Sequence, residues 1–539
     1  MKCSRTIFLT LSSAALGTCA IQWAPCDPTK FNTTILPFQC GNLAVPLDYT
    51  DPANEQKLSL DLIKIPAASG PKLGSILFNL GGPGVPNLRD ISLLAPTLLP
   101  LTGGQSDLIG LDPRGTGNTI PFNCTTNLAD SYTMLTEKVF SNSSDVTLGR
   151  LWSRGSIDAS LCLENANETG ALISTAFVAR DLISIVDALE EDGMLRYWGF
   201  SYGTTLGATV TAMFPERVDK VILDGVQNPH EYYHAIADFE EWTDSDKVFA
   251  GIFSTCIEAG PELCPLAARN KTAQELESDV WDLLDTVKHH PLPVGSVLLD
   301  YMALKGMITE ALYTTELWPN LATTLDILLH GPESALTALA TYLVAGGDET
   351  ELESGMKTIT AIAGIHCGDN LARVSTFKEF QRAVDKLYNI SRIMGDVPVS
   401  RYAVCAQWKI KPKENYNGDF IVRTKKPLLI IGNTYDGHTP LRSAQNVSQG
   451  YEGSVVLEVN GYGHASINLP SKCTLETVSA YWVNGIMPEP GKVCQVDAPP
   501  YSGKSWADVF ESAGVGSLQK RDVYGGWQML RNGGRMWML

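Results

Sequence analysis

The sequence predicts an α/β fold with a mostly parallel central sheet that is interrupted by a mostly helical insertion. Two observations support this prediction. Short β-branched runs alternate with helical stretches up to residue 226, and two further β-branched runs follow after residue 400. Between them, residues 230–400 contain few strand-like runs. With 539 residues, 44% of them hydrophobic, the chain is long enough to bury a large core.

The first half of the sheet is predicted from five segments. "SILFNLGGPG" (75–84) is typical of a buried strand that runs into a glycine-rich loop, and "SDLIGLDPRGTGNT" (106–119) repeats that pattern. A helix follows over 178–193, where apolar residues have helical spacing. A strand then leads into Ser201, and another covers 220–226. Strand, helix and strand in this order form a parallel βαβ unit.

The stretch "RYWGFSYGTTLG" (196–207) places Ser201 between Gly199 and Gly203 at the end of a predicted strand. In a strained turn from strand to helix, a side chain at either glycine position collides with backbone, which is the physical basis of the G-x-S-x-G nucleophile elbow. A plain glycine-rich connection has the same letters, and the pattern occurs by chance in long chains. The motif alone leaves both interpretations open.

Two later strands favour the nucleophile elbow. The strands predicted over 425–433 and 454–460 are followed by Asp436 and His464, respectively. Side chains at the carboxyl ends of parallel strands meet at one edge of the sheet. A nucleophilic serine needs an imidazole base, and that imidazole needs a carboxylate that holds its tautomer. Ser201, Asp436 and His464 stand in the order of an α/β-hydrolase triad, so we predict that they are catalytic.

Other residues compete for these roles. His438 is the other histidine near the edge and is interpreted as a turn residue beside Asp436, while the remaining six histidines are interpreted as surface or satisfied core residues. Asp224 also follows a strand and is the chief rival acid, although a cap on the turn into the insertion explains it better. For the oxyanion hole we predict the backbone N–H groups of Tyr202 and of Gly82.

The first twenty residues have the pattern of a secretory signal peptide. Lys2 and Arg5 precede an apolar run over 7–16, and small residues end at Ala20, after which we expect cleavage. A membrane anchor fits less well because the run is shorter than the roughly 20 residues that a bilayer needs. We expect no later segment to be long and apolar enough to span a membrane. The sequence therefore predicts a secreted, extracellular protein without a membrane partner.

Cysteines and glycosylation sequons agree with export. An even number of cysteines in an exported chain predicts up to five disulfides, and pairing each cysteine with its sequence neighbour is the simplest arrangement. Spacing does not fix that connectivity. The ten cysteines after residue 20 are Cys26, Cys40, Cys124, Cys162, Cys256, Cys264, Cys367, Cys405, Cys473 and Cys494. Predicted glycosylation sites are Asn32, Asn123, Asn142, Asn167, Asn270, Asn389 and Asn446.

The net charge of the chain and the spacing of its motifs limit the kinds of partner and cofactor that we expect. The formal net charge of −18 argues against a nucleic-acid partner, which needs a basic face. No C-x-x-C or H-x-x-x-H cluster indicates a metal site, and no nucleotide-binding spacing occurs. We therefore expect no cofactor and no metal. The expected partner is an oligopeptide or a small acyl substrate.

Sequence blocks along nearly the whole mature chain resemble the tripeptidyl aminopeptidase family, secreted serine exopeptidases of the α/β-hydrolase fold that are related to proline iminopeptidases. The last two blocks lie in a TAP-like C-terminal segment. The chain departs from the family at Val85, Pro86 and Asn87, where small residues usually follow the glycine-rich loop. The blocks are "IQWAPC", "CGNLAVPLDYTDP", "GGPG", "GLDPRGTGNT", "WGFSYGTTLG", "LDGVQNP", "DGHTP" and "GYGHASINLPSKC".

The resemblance implies a hydrolase that releases short peptides from free N-termini through an acyl-enzyme on Ser201. It also implies a helical lid that presents acidic groups to the α-ammonium of the substrate. Glu240 and Glu241 are candidate anchors, although an exposed helix face explains them equally well. The alternative function is a serine hydrolase of the same fold that acts on an ester, lactone or amide of a small metabolite. A non-enzymatic binding module fits poorly because all three triad residues are present.

These features divide the chain into five segments. The last of them holds the dibasic pair Lys520 and Arg521, which is interpreted either as a processing site or, preferably, as part of a disordered extension. The predicted segments are a signal peptide (1–20), a first core part (21–229), a helical lid (230–400), a second core part with the TAP-like segment (401–500) and a C-terminal tail (501–539).

Overall fold

The structure is a computed structural model that describes residues 20–31, 36–70, 72–294, 297–332, 335 and 349–515. Three predictions lie outside these residues, namely residues 1–19 of the signal peptide, the sequon at Asn32, and the dibasic pair at 520–521.

A ten-stranded sheet forms the centre of the fold, in the order β1-β2-β3-β5-β4-β6-β7-β10-β11-β12. The neighbouring pairs β1–β2, β2–β3 and β3–β5 are antiparallel, and all the other neighbouring pairs of this sheet are parallel. All six predicted strands are present, which confirms the mostly parallel sheet. The strands are β1 (Ala24–Pro25), β2 (Gln39–Pro46), β3 (Lys57–Ile65), β4 (Ser75–Asn79), β5 (Asp107–Leu111), β6 (Leu195–Phe200), β7 (Val218–Asp224), β8 (Leu292–Val294), β9 (Val297–Leu299), β10 (Leu429–Tyr435), β11 (Val455–Tyr462) and β12 (Val493–Gln495).

Helices cover both faces of the sheet and make up most of the segment between β7 and β10, where β8 and β9 form a small separate hairpin. Helix α4, predicted over 178–193, begins three residues earlier and ends at Ala188. The helices are α1 (Leu88–Leu101), α2 (Leu128–Thr136), α3 (Thr147–Gly170), α4 (Thr175–Ala188), α5 (Tyr202–Met213), α6 (Pro229–His234), α7 (Ser245–Ala259), α8 (Ala273–His289), α9 (Tyr301–Ala311), α10 (Trp318–His330), α11 (Glu349–Asp369), α12 (Phe377–Ile390), α13 (Val399–Cys405), α14 (Leu441–Gly450), α15 (Lys472–Asn484) and α16 (Trp506–Ser512).

The sheet is buried on both faces because consecutive side chains of a strand point to opposite sides. On β6, Tyr197 belongs to the apolar core under α4, α5 and α14, whereas Trp198 belongs to the core under α1, α15 and α16. Helix α16 lies in the predicted tail, yet Trp506 and Phe510 are buried and the indole of Trp506 donates to the carbonyl of Ile467 at 2.6 Å. The ordered core therefore extends past residue 500.

The helical segment between β7 and β10 has an apolar core of its own. Residues of α7 to α10, α12 and α13 form this core, together with Phe140 and Leu151 from the connection after α2 and from α3. Capping boxes at Thr272 and Thr376 define the starts of α8 and α12. The predicted lid boundaries at 230 and 400 thus bracket most of this core, but the sequence did not reveal that residues near 140–151 complete it.

Five disulfides join the ten cysteines, each with its sequence neighbour, as the simplest pairing predicted. Three of them lie in the sheet-bearing part of the chain and two lie in the helical segment. The pairs are Cys26–Cys40, Cys124–Cys162, Cys256–Cys264, Cys367–Cys405 and Cys473–Cys494.

The six described sequon asparagines are all exposed, in accord with the prediction of surface glycosylation sites. Their occupancy stays a prediction. At Asn446 the side-chain amide donates to Glu240 Oε2 at 2.5 Å, so a glycan there would replace an existing contact.

The expectation that no segment after the signal peptide is apolar enough to span a membrane needs a correction. The helical stretch Thr147–Ala188 meets that criterion by length and composition, with a mean hydropathy of 1.5 over one window of 18 residues. However, 78% of that window is buried inside the fold. This degree of burial is typical of a core helix in a water-soluble fold.

A buried ion pair ties three parts of the core together. The Arg114 guanidinium, in the loop after β5, donates to Asp181 of α4 from Nε at 2.7 Å and from Nη2 at 3.0 Å. It also donates to the carbonyls of Pro46 and Leu47 at the end of β2, at 2.7 and 2.6 Å. Both charged side chains are fully buried, and the hydroxyl of Tyr49 donates to Asp181 as well.

We expect Asp181→Ala to lower the free energy of unfolding by about 3–5 kcal/mol, because it leaves the Arg114 guanidinium buried without its counter-charge. Urea unfolding followed by tryptophan fluorescence measures this loss. Asp187→Ala is the matched control: its pair with Arg217 is 43% and 30% exposed, so we expect a loss below about 1 kcal/mol. Equal losses in the two variants would contradict a special role for the buried pair.

Candidate active site

The turn that carries Ser201 has the strained geometry predicted for a nucleophile elbow. Ser201 lies between β6 and α5 with φ 55° and ψ −129°, a conformation that side chains rarely adopt. A Cβ at Gly199 would lie 2.2 Å from the carbonyl oxygen of Gly203, and a Cβ at Gly203 would lie 2.3 Å from that of Asn79. Both positions therefore require glycine, which excludes the interpretation as a plain glycine-rich connection.

Asp436 and His464 are brought into contact at the carboxyl ends of β10 and β11. The Nδ1 atom of His464 lies 3.1 Å from Oδ2 and 3.2 Å from Oδ1 of Asp436, and 2.9 Å from the hydroxyl of Thr439. Burial tends to raise the pKa of Asp436, but the neighbouring His464 and the donated hydrogen bonds outweigh burial and lower it. The Nε2 atom of His464 is buried and has no hydrogen-bond partner among the described residues, so this nitrogen is free to act on a substrate.

The two rival residues occupy different positions. His438 contributes its backbone N–H to Asp436 Oδ1 at 2.9 Å, while its ring stacks on Tyr313 with 3.5 Å between centroids. Burial lowers the pKa of His438 to about 3, so its ring is neutral. Asp224 binds Ser466 rather than an imidazole, through Oδ1 to the backbone N–H at 2.8 Å and through Oδ2 to the hydroxyl at 2.6 Å.

Asp224 also positions the nucleophile turn relative to the histidine loop. Its backbone carbonyl accepts from the N–H of Ser201 at 3.1 Å, while its carboxylate holds Ser466, two residues after His464. A Cβ at Gly225 would lie 2.8 Å from that of Ala465, so the two loops are in direct contact. One residue thus connects the predicted nucleophile and the predicted base through their backbones.

Of the two predicted oxyanion donors, Tyr202 directly follows Ser201, and Gly82 directly follows Gly81 of the glycine-rich loop. Tyr202 is the first residue of α5, where a backbone N–H has no partner within the helix. The glycine-rich loop approaches closely, since a Cβ at Gly81 would lie 2.8 Å from Ser201 Cβ and 3.2 Å from the nitrogen of Tyr202. The N–H groups of Leu80 and Gly81 are bound by Asn87 and Asn79 side chains, which leaves Gly82 as the next donor in the loop.

Asn87, one of the three residues that depart from the family pattern, has a structural role. Asn87 precedes α1 and is fully buried, and its Oδ1 accepts from the N–H of Leu80 at 3.0 Å. Asp112 Oδ1 accepts in turn from the N–H groups of Asn87 and Leu88, at 2.8 and 3.1 Å. Asn87 therefore fixes the glycine-rich loop against the start of α1.

A cavity of about 110 Å³ lies beside this site and is lined mostly by residues of the helical segment. His438 and Tyr313 line it, and their rings lie 5.6 and 5.3 Å from that of His464. Ile362 of α11 lines it as well, and a Cβ at Gly84 would lie 2.6 Å from the nitrogen of Ile362. Lys138, Trp242 and Arg401 add two cations and an indole to the wall.

The two candidate ammonium anchors differ in the structure. The carboxylate of Glu240 is already hydrogen-bonded within the protein, because its Oε1 accepts from Ser443 at 2.8 Å and from Asn228 at 3.1 Å. Glu241 has a buried Oε2 without a hydrogen bond among the described residues, and burial with the nearby Asp238 raises its pKa well above the usual range. The interpretation as an exposed helix face is therefore wrong for Glu241.

Sequence analysis did not predict two polar groups near Arg401, which lines the cavity. Asp238 is 2% exposed, and its Oδ2 lies 3.9 Å from Arg401 Nη2 and accepts from the Tyr402 hydroxyl at 3.1 Å. Its Oδ1 has no hydrogen bond to any described residue. His366 was expected to be a surface or satisfied core residue, yet it is buried with its Nδ1 unpaired within the described residues. Neither residue belongs to a recognisable motif, so only the tertiary contacts reveal them.

Two family models and several characterised proteins match the chain. A model described as TAP-like protein matches residues 391–494, and one described as alpha/beta hydrolase fold matches residues 74–256, which confirms the predicted fold class. Serine protease Hip1 of Mycobacterium tuberculosis is 27% identical over 88% of this chain and 91% of its own length. Tripeptidyl aminopeptidase of Streptomyces lividans is 27% identical over 91% and 89%, and carboxylesterase B of M. tuberculosis is 24% identical over 88% and 89%.

Proposed function

Because the chain belongs to the tripeptidyl aminopeptidase family and is a serine hydrolase of the peptidase type, we propose that it releases short peptides from the free N-termini of oligopeptides. The observation that carries this proposal is a pair of carboxyl groups, Asp238 and Glu241, beside Arg401, which lines the cavity near His464. A peptide with a free N-terminus supplies a cation that can take the place of the proton held by this pair.

The proposed reaction uses Ser201 as nucleophile and His464 as base. Nε2 of His464 takes the proton of the Ser201 hydroxyl as Oγ attacks the carbonyl carbon, and Asp436 stabilises the imidazolium that forms. The N–H groups of Tyr202 and Gly82 bind the oxyanion. His464 then gives the proton to the leaving amine. In the second half of the reaction, His464 takes a proton from the attacking water and returns it to Ser201 Oγ as the acyl group is released.

The acid pair is suited to bind an α-ammonium group. The Glu241 carboxyl lies within hydrogen-bond reach of Asp238, and burial raises the pKa of both. Among the described residues, Arg401 is the cation that faces both of them, and burial keeps His366 neutral by lowering its pKa well below the usual range. One of the two carboxyl groups therefore keeps its proton while the other faces the single cation, and an α-ammonium group that binds the pair takes the place of that proton.

We expect free-amine tripeptide amides to be cleaved in preference to their N-acetylated forms, and Glu241→Gln to reduce this preference. The ratio of kcat/KM values for free and acetylated substrates should fall by about 10- to 100-fold, as expected for loss of a charge-assisted hydrogen bond. A panel of fluorogenic di- and tripeptide amides in both forms, beside simple esters, measures this ratio.

Glu240→Gln is the matched control, since Glu240 is bound to Asn228 and Ser443 rather than exposed to the cavity. We expect it to retain the wild-type ratio. Equal cleavage of free and acetylated peptides by the wild-type enzyme would contradict the aminopeptidase proposal. Turnover of esters without turnover of peptides would instead favour a small-metabolite hydrolase, the activity class to which the relative named carboxylesterase B points.

The five disulfides support an extracellular site of action, because such bonds persist in oxidising compartments. We propose accordingly that the enzyme is exported and acts on peptides outside the cell. Mass spectrometry of the protein recovered from the culture medium tests this proposal and also locates both termini of the mature chain.

A further inference from the structure

Lys138 is a buried cation in the wall of the cavity beside the proposed active site. It follows α2 and is only 9% exposed. Within the described part of the chain, no hydrogen bond or ion pair is made by its ammonium group. Burial lowers the pKa of Lys138 to about 8, so the group is still mostly protonated at neutral pH.

The charged groups around Lys138 leave it without a dedicated partner. Asp158 is the acid that attracts it, but Arg154 already binds Asp158, from Nε at 2.7 Å and from Nη2 at 2.5 Å. Arg401 and Arg154 both repel Lys138. Two cations and one paired acid therefore surround the ammonium, and a buried charge in this setting is costly unless a further anion approaches.

The cavity gives such an anion a route to Lys138. Its walls are otherwise largely apolar, with Ile359, Ile362 and Met394 among them, and His438 and Tyr313 at the side of His464. A volume of about 110 Å³ is enough for one side chain of a substrate but not for a large ligand. The apolar wall strengthens the attraction between Lys138 and a carboxylate because it excludes water.

We infer that Lys138 is a specificity-determining residue that binds a carboxylate on the part of the substrate that enters this cavity. For peptides this inference rests on the proposed function, and it names the substrate class: peptides with an aspartate or glutamate side chain near the free N-terminus. The acidic side chain binds Lys138 in the wall of the cavity, and the α-ammonium binds the Asp238–Glu241 pair, which lies beside Arg401 of the same wall. The site thereby recognises two groups of opposite charge on one substrate, the α-ammonium and the side-chain carboxylate.

Pairs of nearly isosteric substrates test this inference. Tripeptide amides that differ only by Glu against Gln, or Asp against Asn, are compared at each of the three positions. The p-nitrophenyl monoester of adipic acid, whose carboxylate is too distant to attack its own ester rapidly, is compared with p-nitrophenyl hexanoate. We expect wild-type kcat/KM to favour the acid at one peptide position and in the ester pair by about tenfold or more, the effect of one charge-assisted hydrogen bond.

Lys138→Met should abolish this preference, and Lys138→Arg should retain part of it because the charge stays. Lys409→Met is the control, since Lys409 is exposed and donates to Ser160, and it should keep the wild-type preference. The inference is overturned if wild-type enzyme shows no preference for the acid, or if Lys138→Met keeps it. Failure to cleave any peptide rejects the aminopeptidase proposal alone, because the ester pair still reports on Lys138.

Discussion

Ser201→Ala should reduce kcat by about a million-fold, since the nucleophile of a serine hydrolase cannot be replaced by a neighbouring group. The variant should still fold, because alanine keeps the Cβ that the turn between β6 and α5 accommodates and removes only the hydroxyl. Rates for the best fluorogenic substrate, measured with enzyme at micromolar concentration, are sensitive enough to determine the residual activity.

A fluorophosphonate probe gives an independent measurement of the same prediction. Wild-type enzyme should be labelled once, at Ser201, and the variant should not be labelled. Ser512→Ala is the control, because Ser512 is exposed at the end of α16 and its hydroxyl donates to the carbonyl of Val509 in the same helix at 2.8 Å, so full activity and labelling are expected. Labelling of Ser201→Ala at another serine would reject Ser201 as the nucleophile.

Asp436→Asn should lower kcat by about ten-thousand-fold with little change in KM, the size of effect expected when the orienting carboxylate of a triad is lost. An asparagine keeps the acceptor for the backbone N–H groups of His438 and Thr439, so the turn after β10 is preserved. It removes the negative charge beside Nδ1 of His464 and stabilises the wrong tautomer. Steady-state kinetics with circular dichroism of the variant separate this effect from unfolding.

Asp224→Asn distinguishes the two candidate acids. The Asp224 carboxylate contacts Ser466 and not the imidazole, so we expect a loss in kcat of less than about tenfold and a lower melting temperature, as for loss of a buried hydrogen bond. If Asp224→Asn matched Asp436→Asn in kcat, the assignment of Asp436 as the triad acid would be rejected.

Local sequence predicted the parts of the site that depend on local backbone geometry. The glycines at 199 and 203 are required by contacts within a few residues of the turn or with the adjacent strand, so the motif describes them well. Asp436 and His464 follow strands whose β-branched composition is easily recognised. The neighbour pairing of the cysteines agrees with the simplest arrangement, although spacing alone does not fix it.

Other parts of the site depend on contacts between distant segments. Lys138 and Arg401 line one cavity and Asp238 lies 3.9 Å from Arg401, although the three residues come from separate regions of the chain and nothing in their sequence surroundings indicates these contacts. The antiparallel strands β1 to β3 were not predicted either. Their placement depends on pairing with β5, which is a long-range contact.

The order of the disulfides along the chain has a consequence for biosynthesis. No pair overlaps another, since each of the five closes before the next begins, over 8 to 38 residues. A chain that crosses a membrane from its N-terminus therefore presents each of these cysteines together with its native partner before later ones emerge. Oxidation during translocation then favours the native bonds without reshuffling by an isomerase, and the yield of active enzyme should depend on the supply of oxidant more than on disulfide isomerisation.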